Sequence, residues 1–125
     1  MSVTGSSLAG EWRELQDKHS RVMEALEREL QRRHRLSVTE YDALQCLSQN
    51  EERACRLQQL TDDVHMSQSA GSRLIGRLEE EGLVERQTCT EDRRGIFAVI
   101  TEAGLARLAE AEPTHQEILS RTLGL

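Results

Sequence analysis

The chain has 125 residues, enough for one domain with a hydrophobic core. Charged residues are frequent and aromatic ones scarce, since Trp12, Tyr41 and Phe97 are the only aromatic side chains, which is typical of a helix-rich globular protein. The net charge of -6 counts against a non-specific nucleic-acid binder, which is usually basic, but it allows a specific one because phosphates respond to local charge.

Membrane and secretory signals are absent from the sequence. No apolar run approaches the length of a membrane span, and the first residues lack the basic and apolar regions of a signal peptide. The cysteines Cys46, Cys55 and Cys89 form no CxxC pair and cannot all pair with one another. The sequence therefore predicts a cytoplasmic protein with no membrane partner.

A long amphipathic helix is predicted at the N-terminal end, over residues 8–35. Its apolar seam recurs at alternating steps of four and three residues, through Leu8, Trp12, Leu15, His19, Val22 and Leu26. Such a seam needs an apolar partner, which is either a second copy of the chain or the core of the same domain. We favour dimerisation.

Two further helices are predicted before the centre of the chain. Ser37 and Glu40 form a capping box that opens the first of them, with Tyr41 and two leucines on its buried face. A polar loop separates it from a short helix over residues 56–63. Cys46 is expected to be a small buried hydrophobe, whereas Cys55, just before the short helix, is expected to be exposed.

A fourth helix is predicted over residues 67–81, three residues after the short one. Ser67 can cap its start, and Gly82 can take the left-handed conformation that often ends a helix. One face is apolar, and the opposite face carries small polar and arginine side chains that can bond base edges or phosphates: Gln68, Ser69, Ser72, Arg73 and Arg77. The alternative is an ordinary solvated helix face.

A hairpin is predicted next, over residues 83–100, with a strand at each end. Ile96 to Ile100 is short, apolar and β-branched, and Thr101 can cap the helix that follows. Asp92, Arg93 and Arg94 lie in the polar tip, where Arg94 is the candidate for insertion into a minor groove and Asp92 could hold it extended. The alternative is a solvated charge cluster. Two helices joined by a short turn and followed by such a hairpin predict a winged helix-turn-helix that binds DNA.

The last helix is predicted over residues 101–125, with Leu105, Leu108 and Ala111 on one side. Pro113, the only proline, is expected to kink or break it. The predicted fold class is therefore mainly α with a small β-hairpin wing, and with dimerisation helices at both ends.

Several of these segments resemble the MarR family of bacterial transcription regulators, over about residues 12–119. The resemblance rests on Ser37-x-x-Glu40-Tyr41, Leu60-Thr61-Asp62, Arg77 to Arg86, Asp92-Arg93-Arg94 and Ile100 to Gly104. It implies a DNA-binding region over residues 36–100, an obligate homodimer on a pseudo-palindromic operator, and repression relieved by a small anionic or phenolic effector. It also implies a further helix beyond Leu125, so that either the chain is trimmed or the dimer relies more on the first helix. By motif position, the DNA-binding residues that it implies are Ser67, Gln68, Ser69, Ser72, Arg73, Arg77, Asp92 and Arg94.

Ligand-binding, redox and catalytic functions are the alternatives to a purely DNA-binding role. The resemblance implies an effector pocket between the dimerisation helices and the DNA-binding head. Trp12 and His19 share a face of the first helix and could line that pocket. Packing in the core or in the dimer interface is the alternative explanation for both side chains. Cys89 lies among arginines that could lower its pKa, which keeps a redox switch as an alternative. The histidines share no ligand spacing, so no metal or other cofactor is expected, and no catalytic pair predicts an enzyme. The second hypothesis for the function is a winged helix that binds another protein instead of DNA.

Overall fold

Five helices and a small sheet form the part of the chain that the structure describes. The structure, a computed structural model, describes residues 4–88 and 95–123, with side chains from residue 7 onward. The helices are α1 Thr4–His34, α2 Val38–Gln49, α3 Leu57–Asp63, α4 Gln68–Glu80 and α5 Glu102–Thr122. The strands are β1 Ala54–Arg56, β2 Val84–Thr88 and β3 Ile96–Ile100. This arrangement confirms the predicted mainly-α winged helix-turn-helix.

Side-chain caps begin three of the helices at the predicted residues. The Ser37 hydroxyl accepts a hydrogen bond from the Glu40 backbone N–H at 3.1 Å, and the Glu40 carboxylate accepts one from the Ser37 N–H at 2.7 Å. Ser67 caps α4 and Thr101 caps α5 in the same manner, each through its hydroxyl. Because these bonds satisfy backbone N–H groups that lack a partner within the helix, the starts of α2, α4 and α5 are set locally.

The sheet has three strands in the order β1-β3-β2, and both pairings are antiparallel. The sequence predicted the two hairpin strands, but it assigned residues 50–53 to a polar loop, began the short helix at Arg56 and predicted no strand between them, so β1 is a correction. Cys55 in β1 lies opposite Ala98, and the expectation of an exposed thiol at Cys55 was wrong because its side chain is buried. A strand of three residues has no periodicity that a sequence can reveal.

The hydrophobic core joins the long helices to the winged region. Its fully buried side chains come from all five helices and from the sheet, and include Leu30, Leu44, Leu60, Leu74, Ile118 and Ala98. Only the C-terminal half of α1 takes part, because its buried residues begin at Ala25. The N-terminal half of α1 therefore extends away from the rest of the chain. In the part of the chain that the structure describes, no helix is long and apolar enough to cross a membrane.

Helix α5 runs without a break through Pro113. A break at this residue, one of the two predicted effects of the proline, is therefore wrong, and a kink there stays a prediction. Proline lacks a backbone N–H and costs stability inside a helix, but buried residues lie on both sides of it, at Ala111, Thr114 and Ile118. Packing against α1 and α2 keeps both halves of α5 in one helix because burial outweighs the lost hydrogen bond.

Candidate nucleic-acid interface

Helices α3 and α4 cross at a glycine. A Cβ atom at Gly71 would overlap the methyl group of Thr61, so no other residue fits there without a shift of α3. The turn between the helices is closed by a hydrogen bond from the Met66 N–H to the Thr61 carbonyl at 2.9 Å, and His65 takes a left-handed φ of 57°. These contacts hold α4 against α3 in the geometry of a helix-turn-helix.

The outer face of α4 carries the side chains that were predicted from the sequence to bind DNA. Leu74, Ile75 and Leu78 are fully buried on the inner face. The outer residues are exposed except for Ser72, which is half-buried: Ser67, Gln68, Ser69, Ser72, Arg73 and Arg77. The amide and hydroxyl groups at the start of the helix can bond base edges, and the guanidinium of Arg73 can bond a guanine or a phosphate.

Arg77 also contacts α2. Its Nε atom lies 3.9 Å from Glu40 Oε2, the carboxylate of the capping box. Glu40 is buried, whereas more than half of the Arg77 side chain remains exposed. Arg77 therefore neutralises a buried carboxylate and still presents its side chain to solvent beside the outer face.

Arg86 of β2 belongs to this surface but was not predicted from the sequence. Its Nη2 atom donates a hydrogen bond to the Ser72 carbonyl oxygen at 3.0 Å, and its Nε atom lies 3.3 Å from Glu79 Oε1. Arg86 thus joins the base of the hairpin to the outer side of α4. The one available signal was an arginine in a strand next to the predicted helix, and that signal does not specify a backbone acceptor 14 residues earlier.

Arg107 of α5 joins two elements at the other end of α4. Its Nη1 atom lies 3.3 Å from the His34 carbonyl oxygen at the end of α1 and 3.5 Å from Glu81 Oε1 at the C-cap of α4. The chain after α4 turns at Gly82, whose φ is 76° as the sequence predicted for a helix end. Arg107 therefore connects α4 to the frame formed by α1 and α5.

Asp92, Arg93 and Arg94, and with them Cys89, lie outside the described residues. The two strands that carry the tip are paired over their full length, from Val84 with Ile100 to Thr88 with Ile96. Beside α4, strand β2 presents four exposed residues: Glu85, Arg86, Gln87 and Thr88.

Trp12 and His19 both lie on the half of α1 that extends from the core. They line one groove together with Leu15, Gln16 and Ser20. Trp12 is 61% exposed and Leu15 59%, so these side chains take no part in the core of their own chain. The apolar seam of α1 was expected to pack either on a second copy of the chain or in the core of its own domain. The exposure of Trp12 and Leu15 excludes the second interpretation for the first half of the seam.

The two described thiols are poorly suited to redox chemistry at neutral pH. Burial raises the pKa of Cys46 to about 11, and the hydrogen bond that its Sγ donates to Asp63 acts in the same direction. Burial also raises the pKa of Cys55. Since the thiolate is the reactive form, both groups are largely inert. Cys46 is half-buried rather than fully buried. Within residues 4–88 and 95–123, no cluster of His, Cys, Asp and Glu could hold a metal ion.

Comparison with known proteins places this arrangement in a family. The model of the MarR family matches residues 36–96. Among solved structures, AbsC of Streptomyces coelicolor, a MarR family transcriptional regulator, is 32% identical, with 98% of this chain and 80% of that one covered and a TM-score of 0.87. Sco3205 of the same organism, a MarR family regulator solved in complex with DNA, is 27% identical over 98% of this chain and 75% of that one, with a TM-score of 0.88.

Two regulators of Bacillus subtilis (strain 168) match by sequence over shorter stretches. The transcriptional regulator MhqR is 31% identical over 83 residues, which cover 66% of this chain and 56% of MhqR. The uncharacterised regulator YwhA matches over 66 residues, or 48% of its length. The chain thus spans about half the length of the curated relatives that it matches. Its similarity to AbsC extends over almost the whole chain. The chain belongs to the MarR family of transcriptional regulators.

Proposed function

We propose that the chain is a homodimeric repressor that binds a pseudo-palindromic operator through α4 and the wing, and that a small effector relieves the repression. Family membership makes the chain a transcriptional regulator and not an enzyme. The observation that carries the DNA-binding proposal is the outer face of α4, where exposed polar and arginine side chains lie on a helix held by the Gly71–Thr61 crossing. The relative Sco3205, solved in complex with DNA, supports it.

The residues of this surface have different roles in the proposal. Ser67 caps α4, and Gln68 and Ser69 lie in its first turn, where the side chains of a recognition helix reach base edges. Arg73 provides a base or phosphate contact one turn later, and Arg77 a phosphate contact. In the wing, Arg94 enters the minor groove, Asp92 orients it and Arg93 adds a phosphate contact.

The exposed half of α1 supports the proposed dimer. Leu8, Trp12 and Leu15 are 65%, 61% and 59% exposed, and such a row of large apolar side chains is unfavourable in water. Leu123 at the end of α5 is exposed as well. We propose that a second copy of the chain covers both, so that residues 8–35 and 101–125 form the dimer and residues 36–100 the DNA-binding region. The Trp12–His19 groove then lies at or beside the interface, where an anionic or phenolic effector could bind.

A protein partner for the winged face is the second candidate. The net charge of -6 favours it, because a DNA-binding surface on an acidic protein relies on local arginines alone. Salt separates the two candidates. DNA binding through several arginines weakens steeply as the salt concentration rises, because cations are released from the duplex, and protein docking need not.

Selection from a random duplex library tests the proposal. The purified protein is incubated with the library at physiological salt, and the bound duplexes are sequenced over successive rounds. We expect an inverted repeat with half-site centres about 10 bp apart, since two recognition helices of a dimer then lie on one side of the DNA. A folded protein that enriches no sequence would contradict operator recognition and favour the protein partner.

A further inference from the structure

One carboxylate at the start of α2 contacts both α2 and α4. Glu40 Oε1 accepts a hydrogen bond from the Ser37 N–H at 2.7 Å, which completes the capping box, and Oε2 lies 3.9 Å from Arg77 Nε. Because both oxygens belong to one rigid group, the capping bond also fixes the position of Oε2. Glu40 is only 6% exposed, so the surrounding side chains hold it in place as well. Arg77 therefore meets a negative charge whose position is set by the fold of α2.

A second carboxylate at this helix start makes no such contact. Glu27 of α1 accepts a hydrogen bond from the Val38 N–H at 3.1 Å, and in the part of the chain that the structure describes it forms no ion pair with an arginine or lysine. Glu27, Glu40 and the Ser37 hydroxyl together occupy the N–H groups of Ser37, Val38 and Glu40. The protein's own acceptors thus satisfy the start of α2, which has little capacity left for a phosphate. Arg77, and not the helix start, is the group there that can bind one.

The position of Arg77 along α4 favours a phosphate over a base. Arg77 lies nine residues after Gln68, which is about 13 Å along the helix axis. The major groove is about 12 Å wide, so a first turn that contacts base edges leaves Arg77 beside the sugar–phosphate backbone. More than half of the Arg77 side chain is exposed, and Glu40 lies nearest to Nε. The donors on Nη1 and Nη2 can therefore serve a phosphate oxygen.

Glu40 affects DNA binding in two opposite ways. Its negative charge repels phosphates, which weakens binding. That charge is largely compensated, because Glu40 accepts a hydrogen bond at the positive end of α2 and lies beside Arg77. Its second effect is to restrict Arg77, a long side chain that otherwise samples many rotamers and must be ordered when it binds a phosphate. Since only the repulsion is compensated, the restriction of Arg77 outweighs it.

We propose that Glu40 is a positioning residue for DNA binding, and that it holds Arg77 in place for a phosphate of the operator backbone. Glu40 does not touch the DNA itself, because it is buried. It acts through the contact of 3.9 Å with Arg77, which is too long for a hydrogen bond and so leaves the guanidinium donors to the phosphate. This inference rests on the proposed function, since it explains how one contact of the DNA-binding surface is prepared.

The hold of Glu40 on Arg77 is tested first without DNA. Glu40→Gln removes the charge but can keep the capping box, because the amide oxygen of glutamine also accepts the Ser37 N–H. Nitrogen relaxation of the arginine Nε–Hε groups, measured by NMR, gives an order parameter for each side chain. We expect the order parameter of Arg77 to fall in Glu40→Gln and to stay at its wild-type value in Glu27→Gln, which removes the same charge from the same helix start. An unchanged order parameter in Glu40→Gln would overturn the proposal.

Affinity for a duplex from the library selection is the second readout. Glu40→Gln should weaken binding about two- to tenfold, which is the cost of ordering one long side chain on binding, although it removes a charge that repels DNA. Glu27→Gln is the matched control and should bind as tightly as the wild-type chain or more tightly. Equal or higher affinity of Glu40→Gln would mean that charge alone matters, and the positioning role would be wrong.

The dependence of affinity on salt separates positioning from the loss of a phosphate contact. Arg77→Gln should make the negative slope of log K against log salt less steep by about 0.9, because one phosphate contact is lost. Glu40→Gln should leave that slope unchanged, because Arg77 still reaches the phosphate. A slope that changes equally in both variants would contradict a role limited to positioning.

The double variant shows whether Glu40 acts through Arg77. In the Arg77→Gln chain, Glu40→Gln should no longer lower affinity for the duplex, since no guanidinium group remains to be held. A further loss of the same size as in the wild-type background would overturn the link between the two residues. A wild-type chain that binds no duplex would instead contradict the proposed function, while the relaxation measurement would still decide whether Glu40 holds Arg77.

Discussion

Gly71 packs directly on Thr61, and there is no room for a Cβ atom between α4 and α3. The Thr61 hydroxyl is also committed, since it donates to the Gln58 carbonyl at 2.8 Å, so the threonine side chain is held in place. The angle at which α4 leaves α3 therefore depends on this pair, and with it the direction in which the outer face of α4 points.

Gly71→Ala should destabilise the fold because its methyl group must displace α3 or move α4. Overpacking of this kind costs about 1–3 kcal/mol in the free energy of unfolding. Thr61→Ser removes the methyl group that the new Cβ would meet and keeps the hydroxyl. Urea denaturation of the wild-type chain, both single variants and the double variant gives the coupling between the two sites. The double variant should recover part of the loss, and strictly additive effects would contradict the contact.

Arg73→Ala should weaken binding to the selected duplex by about 1–3 kcal/mol if the guanidinium group reads a guanine. Fluorescence anisotropy at matched salt measures the change. Arg21→Ala removes the same charge from an exposed position on α1 and is the control. If both variants lose the same small affinity, net charge alone accounts for the effect and the proposed role of Arg73 is wrong.

Arg86 should act on DNA binding through α4 rather than by touching the phosphates. Its bond to the Ser72 carbonyl and its ion pair with Glu79 hold α4 against the hairpin, so Arg86→Met should lower affinity for the duplex. The dependence of affinity on salt distinguishes the two roles. Loss of a phosphate contact makes the negative slope of log K against log salt less steep by about 0.9. Loss of a positioning residue leaves that slope unchanged.

Leu15→Glu should disrupt the proposed dimer, because it places a charge in the exposed apolar seam of α1. Analytical ultracentrifugation at micromolar concentration should show monomers for this variant and dimers for the wild-type chain. Gln31→Glu adds the same charge at an exposed position later in α1 and should remain dimeric. A wild-type chain that sediments as a monomer would contradict the role given to α1.

His115 gives the fold a dependence on pH. It stacks on Tyr41 with ring centroids 4.2 Å apart, and its pKa is lowered from 6.5 chiefly by burial, against the opposing effect of Asp42 and Glu112. A lowered pKa means that the folded state resists protonation, so stability is complete above pH 6.5 and falls as the pH drops toward the folded pKa. Unfolding free energies measured between pH 7.5 and about pH 5 should fall less for His115→Phe, which keeps the stack.

Asp42 contributes with the opposite sign. Burial raises its pKa from 3.8, so its contribution to stability is present at acid pH and is lost as the pH rises through the raised pKa. The pH dependence of the wild-type chain and of His115→Phe is therefore measured again with Asp42→Asn introduced into both. If the histidine and phenylalanine versions then show the same pH dependence, burial of His115 does not control it.

Local signals explain what the sequence could predict. The capping box of Ser37 and Glu40, the left-handed Gly82 and the strand Ile96–Ile100 each follow from a few neighbouring residues, and all three are present. β1 depends on pairing with a strand about 40 residues later, which no local pattern specifies. The helix through Pro113 likewise depends on packing, because intrinsic preference alone favours a break.

Local patterns also predicted only part of the candidate DNA-binding site. Helical periodicity identified the outer face of α4, since one apolar face implies the opposite exposed one. The contacts of Arg86 and Arg107 did not follow from periodicity, because a long flexible side chain can reach acceptors far away in sequence. Sequence patterns therefore predict which face is available more readily than which contacts hold it in place.

The mass of the complex with a selected duplex, measured by native mass spectrometry, tests the central claim most directly. That claim is that two copies of the chain read one operator through two α4 helices. We predict two chains on each duplex, and loss of that complex for the Leu15→Glu variant at the same concentration. One chain bound to each duplex, or a complex that forms equally well with the variant, would contradict a dimer that reads both half-sites.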